Sequence, residues 1–325
     1  MHLGNARTAL LAWLACRHDR GTMVLRLEDL DQARAVPGAA AQLLEDLRWL
    51  GLDWDEGPDV GGPCAPYTQS ERSAGHDAAI DQLLGQGAAF LCACSRADVN
   101  RAASAPHGQA PVGDGNRIGG QVAGDGPDAG PRYPGTCRGQ PPAEVAARAR
   151  TLGRAPTVRF AGAGRAWPTR FVDGIHGPLD ALPDGVDDFV IRRADGVAAY
   201  QLAVVVDDAA MQISDVVRGD DLLSSTPRQL ALYAALGLVP PRFFHAPLVL
   251  APGGERLAKR TRPASIADLR RQGVAPETIV GALAASAGLG NAGRRISAHD
   301  LVNDFDLRRI ARAPAELDAA QWDLG

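Results

Sequence analysis

The sequence has no long apolar run, no even set of cysteines and no strong net charge, and each absence excludes a class of protein. No stretch of about 18 uninterrupted apolar residues occurs, which argues against a membrane span. Five cysteines are an odd number in a chain long enough to fold without disulfides, so a reducing cytoplasm is predicted. The formal charge of −4 gives no global attraction to polyanions, so nucleic acid would need a local basic surface.

The apolar periodicity of the first hundred residues predicts an α/β protein. Helices are predicted at 4–20, 43–50 and 74–84, and short strands at 23–27 and 88–92. This order is a βαβ pattern. The strand at 23–27 runs into the acidic cluster 28–31 at its carboxyl end, which is where open α/β sheets bind ligands.

The second part of the chain continues the alternation after a change of composition. Residues 101–131 are rich in Gly, Pro, Ala and Asp without periodicity, and they are predicted to form a flexible insertion. Thr226 and Pro227 are predicted as the N-cap and first residue of a helix. Further helices are predicted at 265–272 and 276–286, and strands at 157–160, 170–172, 189–193, 211–217 and 243–250.

Two groups of residues are candidates for phosphate contacts. His2, Gly4 and Asn5 open a helix, where free N–H groups and the helix dipole favour phosphate and a glycine permits close approach. Lys259 lies in a basic segment after the turn Gly253-Gly254, where a mobile cationic loop would neutralise charge as pyrophosphate leaves. Taken alone, His2, Gly4 and Asn5 also fit the start of an ordinary helix. The basic segment around Lys259 also fits a solvated surface.

A third group, Glu28, Tyr200 and Arg218, is a candidate for binding an amino acid. Glu28 would hold an ammonium group, and the forked guanidinium of Arg218 would bind a carboxylate, as a dicarboxylic amino acid requires. Asp207 and Asp208 lie near Tyr200 in sequence. Spacing alone favours the simpler interpretation, a set of solvated charges at strand ends.

Five ordered segments resemble the glutamyl-tRNA synthetase family. They are His-Leu-Gly-Asn-Ala-Arg-Thr-Ala at 2–9, Leu-Arg-Leu-Glu-Asp-Leu-Asp at 25–31, Tyr-Gln-Leu-Ala-Val-Val-Val-Asp-Asp at 200–208, Val-Arg-Gly-Asp-Asp-Leu-Leu at 217–223 and Arg-Leu-Ala-Lys-Arg at 256–260. Residues 47–57 and 69–72 are also similar to that family. Because the segments keep their order over most of the chain, the resemblance is specific.

The resemblance implies a class I aminoacyl-tRNA synthetase fold, with a Rossmann-like nucleotide-binding core, an inserted zinc-containing subdomain and a short helical C-terminal part. Four regions are predicted on this basis. They are the first half of the core at 1–91, the inserted acceptor-type subdomain at 92–188, the second half of the core at 189–262, and a helical C-terminal segment without an anticodon-binding domain at 263–325.

The resemblance also implies roles for the candidate residues. Residues 2–5 would be the ATP-binding "HIGH" signature, and residues 256–260 the "KMSKS" loop with Lys259 contacting ATP. His2, Asn5 and Lys259 would be catalytic, while Glu28, Tyr200 and Arg218 would bind glutamate. The glutamate α-carboxylate would attack the α-phosphorus of ATP, with Mg²⁺ on the phosphates, and an RNA hydroxyl would then take the glutamyl group.

Two features resemble the short members of the family, the glutamyl-queuosine tRNA(Asp) synthetases. Residues 261–325 are too few for the usual anticodon-binding domains. Cys92-x-Cys94 with Tyr133-x3-Cys137 resembles that group's structural zinc site, although buried free thiols are the alternative. The implied partners are ATP, L-glutamate and a queuosine-bearing tRNA(Asp), with no membrane and a monomeric state.

Two departures and two alternative functions accompany this resemblance. The family normally has a strand and an Arg-Phe-Ala-Pro-Ser-Pro-Thr-Gly turn before its first signature, whereas Met1 here directly precedes His2, so Met1 is predicted to be internal to a longer natural chain. The spacer between Cys94 and Tyr133 is longer than usual in that family.

The sequence also leaves two alternative functions open. They are a truncated glutamyl-tRNA synthetase that charges tRNA(Glu), and a non-catalytic RNA- or nucleotide-binding paralogue.

Overall fold

The computed structural model describes residues 1–103, 130–182, 184–254, 265–291 and 293–318. The helices are α1 (Leu3–His18), α2 (Ala39–Trp49), α3 (Ser73–Gly85), α4 (Arg96–Ala103), α5 (Pro142–Thr151), α6 (Tyr200–Ala210), α7 (Thr226–Leu236), α8 (Ile266–Arg271), α9 (Pro276–Ser286) and α10 (Ala298–Leu301). The strands are β1 (Ala89–Cys92), β2 (Thr157–Phe160), β3 (Arg170–Asp173), β4 (Gly177–Asp180), β5 (Val190–Arg192), β6 (Asp215–Gly219), β7 (Arg242–Ala246), β8 (Val249–Leu250) and β9 (Ala315–Glu316).

Helix α1 is the central helix of the larger core. Leu3, Leu10, Trp13 and Leu14 are all buried, and they pack in one apolar cluster with α2, α8 and α9. A helix that is apolar on several sides is stable only in such an interior position. The helix also contacts β6, and the charge of Asp221, two residues after that strand, acts on His2 at the beginning of α1.

Strands β6 and β7 form a parallel pair joined by α7, which is the βαβ arrangement of a doubly wound fold. The predicted strand at 243–250 is divided into β7 and β8 because Pro247, which cannot donate to a ladder, lies between them. Helix α7 begins at Thr226 with Ser225 as its N-cap, one residue earlier than predicted. The strand predicted at 211–217 is shifted to Asp215–Gly219.

The prediction of a regular strand at 23–27 is wrong. The segment is extended but makes only single bridges, from Val24 to Glu56 and from Leu27 to Thr68. Its N–H groups at Leu25 and Leu27 donate to the carbonyls of Glu56 and Tyr67, at 2.8 and 2.9 Å. Because these acceptors belong to two separate loops, no continuous ladder forms.

Strands β1, β2 and β5 form an antiparallel sheet whose apolar face packs against α3, α6 and α7 in a second core.

Helix α4 continues to Ala103, so the predicted flexible insertion at 101–131 is wrong at its first residues. Residues 104–129 lie outside the described part. Strands β3 and β4 form a separate hairpin. The predicted strands at 88–92, 157–160, 170–172 and 189–193 are confirmed within a residue or two.

The described part of the C-terminal region contains three α-helices, a short 3-10 helix at Leu307–Arg309 and one strand. A capping box between Ser265 and Asp268 begins α8, as expected where a serine precedes an acidic residue at the third helical position. The predicted helix at 276–286 is confirmed. Strand β9 pairs in parallel with β8, so this region is not wholly helical. Among the described helices, none is long and apolar enough to cross a membrane.

Candidate active site and metal centre

The opening of α1 carries the first candidate residues, His2, Gly4 and Asn5. The His2 imidazole caps the helix, since its Nδ1 accepts a hydrogen bond from the Asn5 N–H at 3.3 Å. Burial lowers the pKa of His2, which keeps the ring neutral and leaves the proton on Nε2. A Cβ at Gly4 would lie 3.2 Å from this ring, so a larger residue there would require the His2 ring to shift.

The basic segment that contains Lys259 lies outside the described residues, and only its two ends can be located. Gly253 and Gly254, at its beginning, both have positive φ values, which glycine adopts without strain. At its other end, Ser265 forms an antiparallel bridge with His2, and the Ile266 N–H donates to the Met1 carbonyl at 2.9 Å. The chain after Lys259 therefore rejoins the described structure beside the opening of α1.

The structure brings Glu28, Tyr200 and Arg218 into one cluster of charges, in which Arg218 is buried, Tyr200 is half-buried and Glu28 is exposed. Arg26, which the sequence analysis missed, donates to Glu28 at 3.0 Å and to Asp208 at 2.7 Å. Burial raises the pKa of Tyr200 to about 12, and the charges of both Arg218 and Glu28 also act on its hydroxyl. The Tyr200 phenol thus remains a protonated hydrogen-bond donor at neutral pH.

The Arg218 guanidinium is buried, and among the described residues it is bonded only to neutral groups. Its Nε donates to His245 Nε2 at 2.9 Å, and its two terminal nitrogens donate to Gln229 Oε1 and Thr226 Oγ1, each at 2.8 Å. Its side chain is 8% exposed, and no carboxylate of a described residue pairs with it. Since a buried cation is stable only with an anionic partner or a dense set of dipoles, this arrangement leaves room for a carboxylate ligand.

A buried pair, Asp173 and His245, fixes the orientation of Arg218. His245 Nδ1 lies 2.7 Å from Asp173 Oδ2, and its Nε2 accepts from Arg218, so the proton must be on Nδ1. Burial lowers the pKa of His245, which keeps the ring neutral. Asp173 also accepts from the backbone N–H groups of Ile175 and His176, both at 2.9 Å. No local sequence signal indicates this pair, because its members are 72 residues apart.

Three cysteines form a cluster suited to a metal ion. The Sγ atoms of Cys92, Cys94 and Cys137 lie within 4.8 Å of one another, and no other such group of His, Cys, Asp or Glu occurs in the part of the chain that the structure describes. The Tyr133 hydroxyl lies 3.3 Å from Cys92 Sγ and 3.8 Å from Cys94 Sγ. Three sulfurs and one phenol oxygen therefore surround one point, as a tetrahedral site requires.

Two arginines contact the same sulfurs. Arg148 donates to Cys137 Sγ at 2.7 Å, and Arg159 donates to Cys92 Sγ at 3.3 Å. Burial tends to raise the pKa of the Cys92 thiol, but the hydrogen bonds from Tyr133 and Arg159 outweigh burial and the pKa is lowered. For Cys94, burial and the neighbouring Cys92 charge raise the pKa to about 11.

Comparisons with known proteins identify the family of the chain. Residues 1–320 match the family described as tRNA synthetases class I (E and Q), catalytic domain. A glutamyl-Q tRNA(Asp) synthetase of Symbiobacterium thermophilum is 49% identical over 98% of this chain and 93% of that protein. Glutamate–tRNA ligase 1 of Halorhodospira halophila is 42% identical over 98% of this chain but 62% of that protein. The crystal structure of a glutamate-tRNA synthetase from Elizabethkingia anophelis matches with a TM-score of 0.77 and 28% identity, over 98% of this chain and 66% of that one.

The fold, the site and these matches show that the chain belongs to the class I synthetases for glutamate and glutamine. The predicted Rossmann-like core and the prediction of a synthetase-type ligase are therefore confirmed. Within that family, the chain belongs to the glutamyl-Q tRNA(Asp) synthetases, because its 49% identity extends over nearly the full length of a member. It spans about two thirds of the matched glutamate-tRNA synthetase structure.

Proposed function

We propose that this chain activates glutamate with ATP and transfers the glutamyl group to queuosine in the anticodon loop of tRNA(Asp). The observation that carries the amino-acid part is the buried Arg218, whose three hydrogen-bond acceptors are all neutral. The acceptor part follows the matched relatives named for glutamyl-Q tRNA(Asp). Fold alone specifies activation chemistry better than acceptor identity, so the acceptor is the finer part of the proposal.

Glutamate binding uses opposite charges at two ends of one cluster. The Arg218 fork binds one carboxylate of glutamate, and Tyr200 donates its hydroxyl hydrogen to the same ligand. Glu28, held by Arg26 at 3.0 Å, accepts from the ammonium group. Because Arg218 and Glu28 are already held by protein partners, little reorganisation of these two accompanies binding, and the α-carboxylate is oriented for attack on ATP.

ATP binding uses the opening of α1 and the segment that contains Lys259. His2, Gly4 and Asn5 place the free N–H groups of the helix N-terminus against the phosphates. Lys259 is the single lysine of the chain, since 34 basic residues comprise 33 arginines and this one. Its compact ammonium suits a point contact with a phosphate that moves during the reaction. Mg²⁺ bound with ATP would supply further charge neutralisation.

The metal proposed for the cysteine cluster is Zn²⁺, held by Cys92, Cys94, Cys137 and Tyr133. Three thiolates within bonding reach of one point favour a soft, tetrahedral ion over Mg²⁺ or Ca²⁺. The site joins the end of β1 to the segment before α5, on either side of residues 104–129. Its role is structural, because all four positions are filled by protein ligands.

The proposed activation is tested by glutamate-dependent ATP–pyrophosphate exchange in the absence of tRNA. Wild-type protein is expected to exchange with glutamate and not with glutamine, which lacks the second carboxylate. Lys259→Ala is expected to reduce the rate roughly 10²- to 10³-fold, and Lys259→Arg to restore it only in part, since a guanidinium is not a point charge. If the wild-type protein catalyses no exchange with glutamate or with glutamine, the proposal is contradicted. An exchange rate in Lys259→Ala equal to that of the wild type would contradict the role of Lys259 in ATP binding.

A further inference from the structure

The subdomain around the cysteine cluster contains two arginines with no carboxylate partner among the described residues. Arg148 lies in the last turn of α5, and Arg159 lies on β2 opposite Phe90. Their neighbours Arg138 and Arg154 instead form ion pairs with Asp188 and Asp98. Acidic partners are therefore available in this subdomain, yet Arg148 donates to a sulfur, and Arg159 donates to a sulfur and to the backbone carbonyl of Asp188 at 3.3 Å.

The contacts of these two arginines converge on the ligand atoms. Arg148 donates to Cys137 Sγ at 2.7 Å, and Arg159 donates to Cys92 Sγ at 3.3 Å. The Arg159 guanidinium carbon also lies 4.0 Å from the centre of the Tyr133 ring. Three of the four proposed ligands thus contact a guanidinium, and the fourth, Cys94, lies 3.6 Å from Cys137.

The charges of the proposed zinc site explain this convergence. Zn²⁺ with three thiolates has a net charge of about −1, and a deprotonated tyrosine ligand makes it about −2. The ligands Cys92, Tyr133 and Cys137 are buried, and an uncompensated charge there costs several kcal/mol in general. Two guanidinium groups in hydrogen-bond contact supply a charge of +2, which offsets the excess negative charge.

The state without metal has the opposite imbalance. Without the metal, two half-buried cations remain beside the cluster with no carboxylate partner among the described residues, which is unfavourable. The arginines therefore stabilise the metal-bound cluster relative to the metal-free one. Ligand-contacting groups of this kind generally change metal affinity by about 10- to 100-fold when removed.

We propose that Arg148 and Arg159 are positioning residues of the metal centre, which neutralise the thiolate cluster and slow the loss of zinc. The proposal rests on the zinc site proposed above and is independent of glutamate activation. It concerns metal retention, so its test does not depend on catalytic turnover.

The test measures zinc release from the purified full chain to an excess of a chromogenic chelator. Arg148→Gln and Arg159→Gln are each expected to release zinc about 10- to 100-fold faster than wild type. Arg150→Gln is the matched control, because Arg150 lies in the same last turn of α5 but is exposed. Arg148→Lys keeps the positive charge but lacks the forked guanidinium, so its rate of zinc release is expected to lie between those of the wild type and Arg148→Gln.

Circular dichroism of each zinc-loaded variant checks that the fold is retained. If Arg159→Gln fails to fold, because it interrupts β2, the comparison of Arg148→Gln with Arg150→Gln still decides the question. Release rates equal to wild type in both Arg148→Gln and Arg159→Gln would overturn the proposal, as would an equally fast Arg150→Gln. Wild-type protein that retains no zinc would overturn the metal site and, with it, the role of the arginines.

Discussion

Arg218→Met is expected to lower kcat/KM for glutamate roughly 10²- to 10³-fold, because removing one member of a buried charge pair generally costs about 2–5 kcal/mol. The KM for ATP is expected to stay near the wild-type value, since ATP contacts the opening of α1 instead. Glutamate-dependent pyrophosphate exchange at varied concentrations of each substrate measures both parameters.

The physical reason lies in the three neutral acceptors of Arg218. His245, Gln229 and Thr226 fix the direction of the guanidinium without neutralising it. The bound substrate is then the group that completes the charge pair, so most of the effect appears in glutamate binding. Arg218→Lys is expected to recover little, because an ammonium group cannot maintain this forked geometry.

Arg228→Gln is the matched control for removal of a buried arginine. Arg228 is 9% exposed and Arg218 is 8% exposed, but Arg228 donates to Asp187 at 2.9 Å. The control is expected to lose stability while keeping the wild-type KM for glutamate. An equal loss of glutamate affinity in both variants, or a normal glutamate KM in Arg218→Met, would contradict the assigned role.

Cys137→Ser is expected to abolish stoichiometric zinc binding and to unfold the region around β1, β2 and α5 locally. Structural zinc sites contribute folding free energy directly, and loss of a metal belongs to the changes that exceed about 4 kcal/mol. Cys137 is fully buried, and its Sγ contacts both Cys94 Sγ and the Arg148 guanidinium. Water therefore cannot replace the ligand that is lost when serine stands at this position.

Metal analysis together with hydrogen exchange of the backbone amides measures this effect. The protection of backbone amides against exchange is expected to fall in residues 88–103 and 130–160. It is expected to persist in α1 and α9, which belong to a different core. Cys64→Ser is the control, since Cys64 lies outside the cluster. Full zinc content and unchanged protection in Cys137→Ser would contradict the metal site.

The sequence predicts elements whose formation depends on local patterns. Helices α3 and α9 are found within a residue or two of their predicted bounds, because apolar spacing and a helix-initiating proline act over a single turn. The strand at 23–27 fails because apolar composition does not reveal which segment accepts its hydrogen bonds. Its partners at Glu56 and Tyr67 are set by tertiary packing.

The candidate site shows the same limit. Spacing alone favoured solvated charges for Glu28, Tyr200 and Arg218, whereas the fold brings the three together, buries Arg218 and leaves only Glu28 exposed. Arg26 and His245 were missed because the contacts that place them in the site, with Asp208 and Arg218, join residues 182 and 27 positions apart. The metal cluster was predicted through its resemblance to a known pattern, and the sulfurs converge across a long insertion, whose length costs little once its ends are fixed.

Transfer of labelled glutamate to defined tRNAs tests the central claim most directly. The acceptors are tRNA(Asp) with queuosine, tRNA(Asp) without it, queuosine-bearing tRNA(Asp) from which the terminal adenosine has been removed, and tRNA(Glu). The account predicts labelling of both queuosine-bearing forms, with or without the terminal adenosine, and none of the other two. Labelling of tRNA(Glu), or loss of labelling when the terminal adenosine is removed, would contradict it.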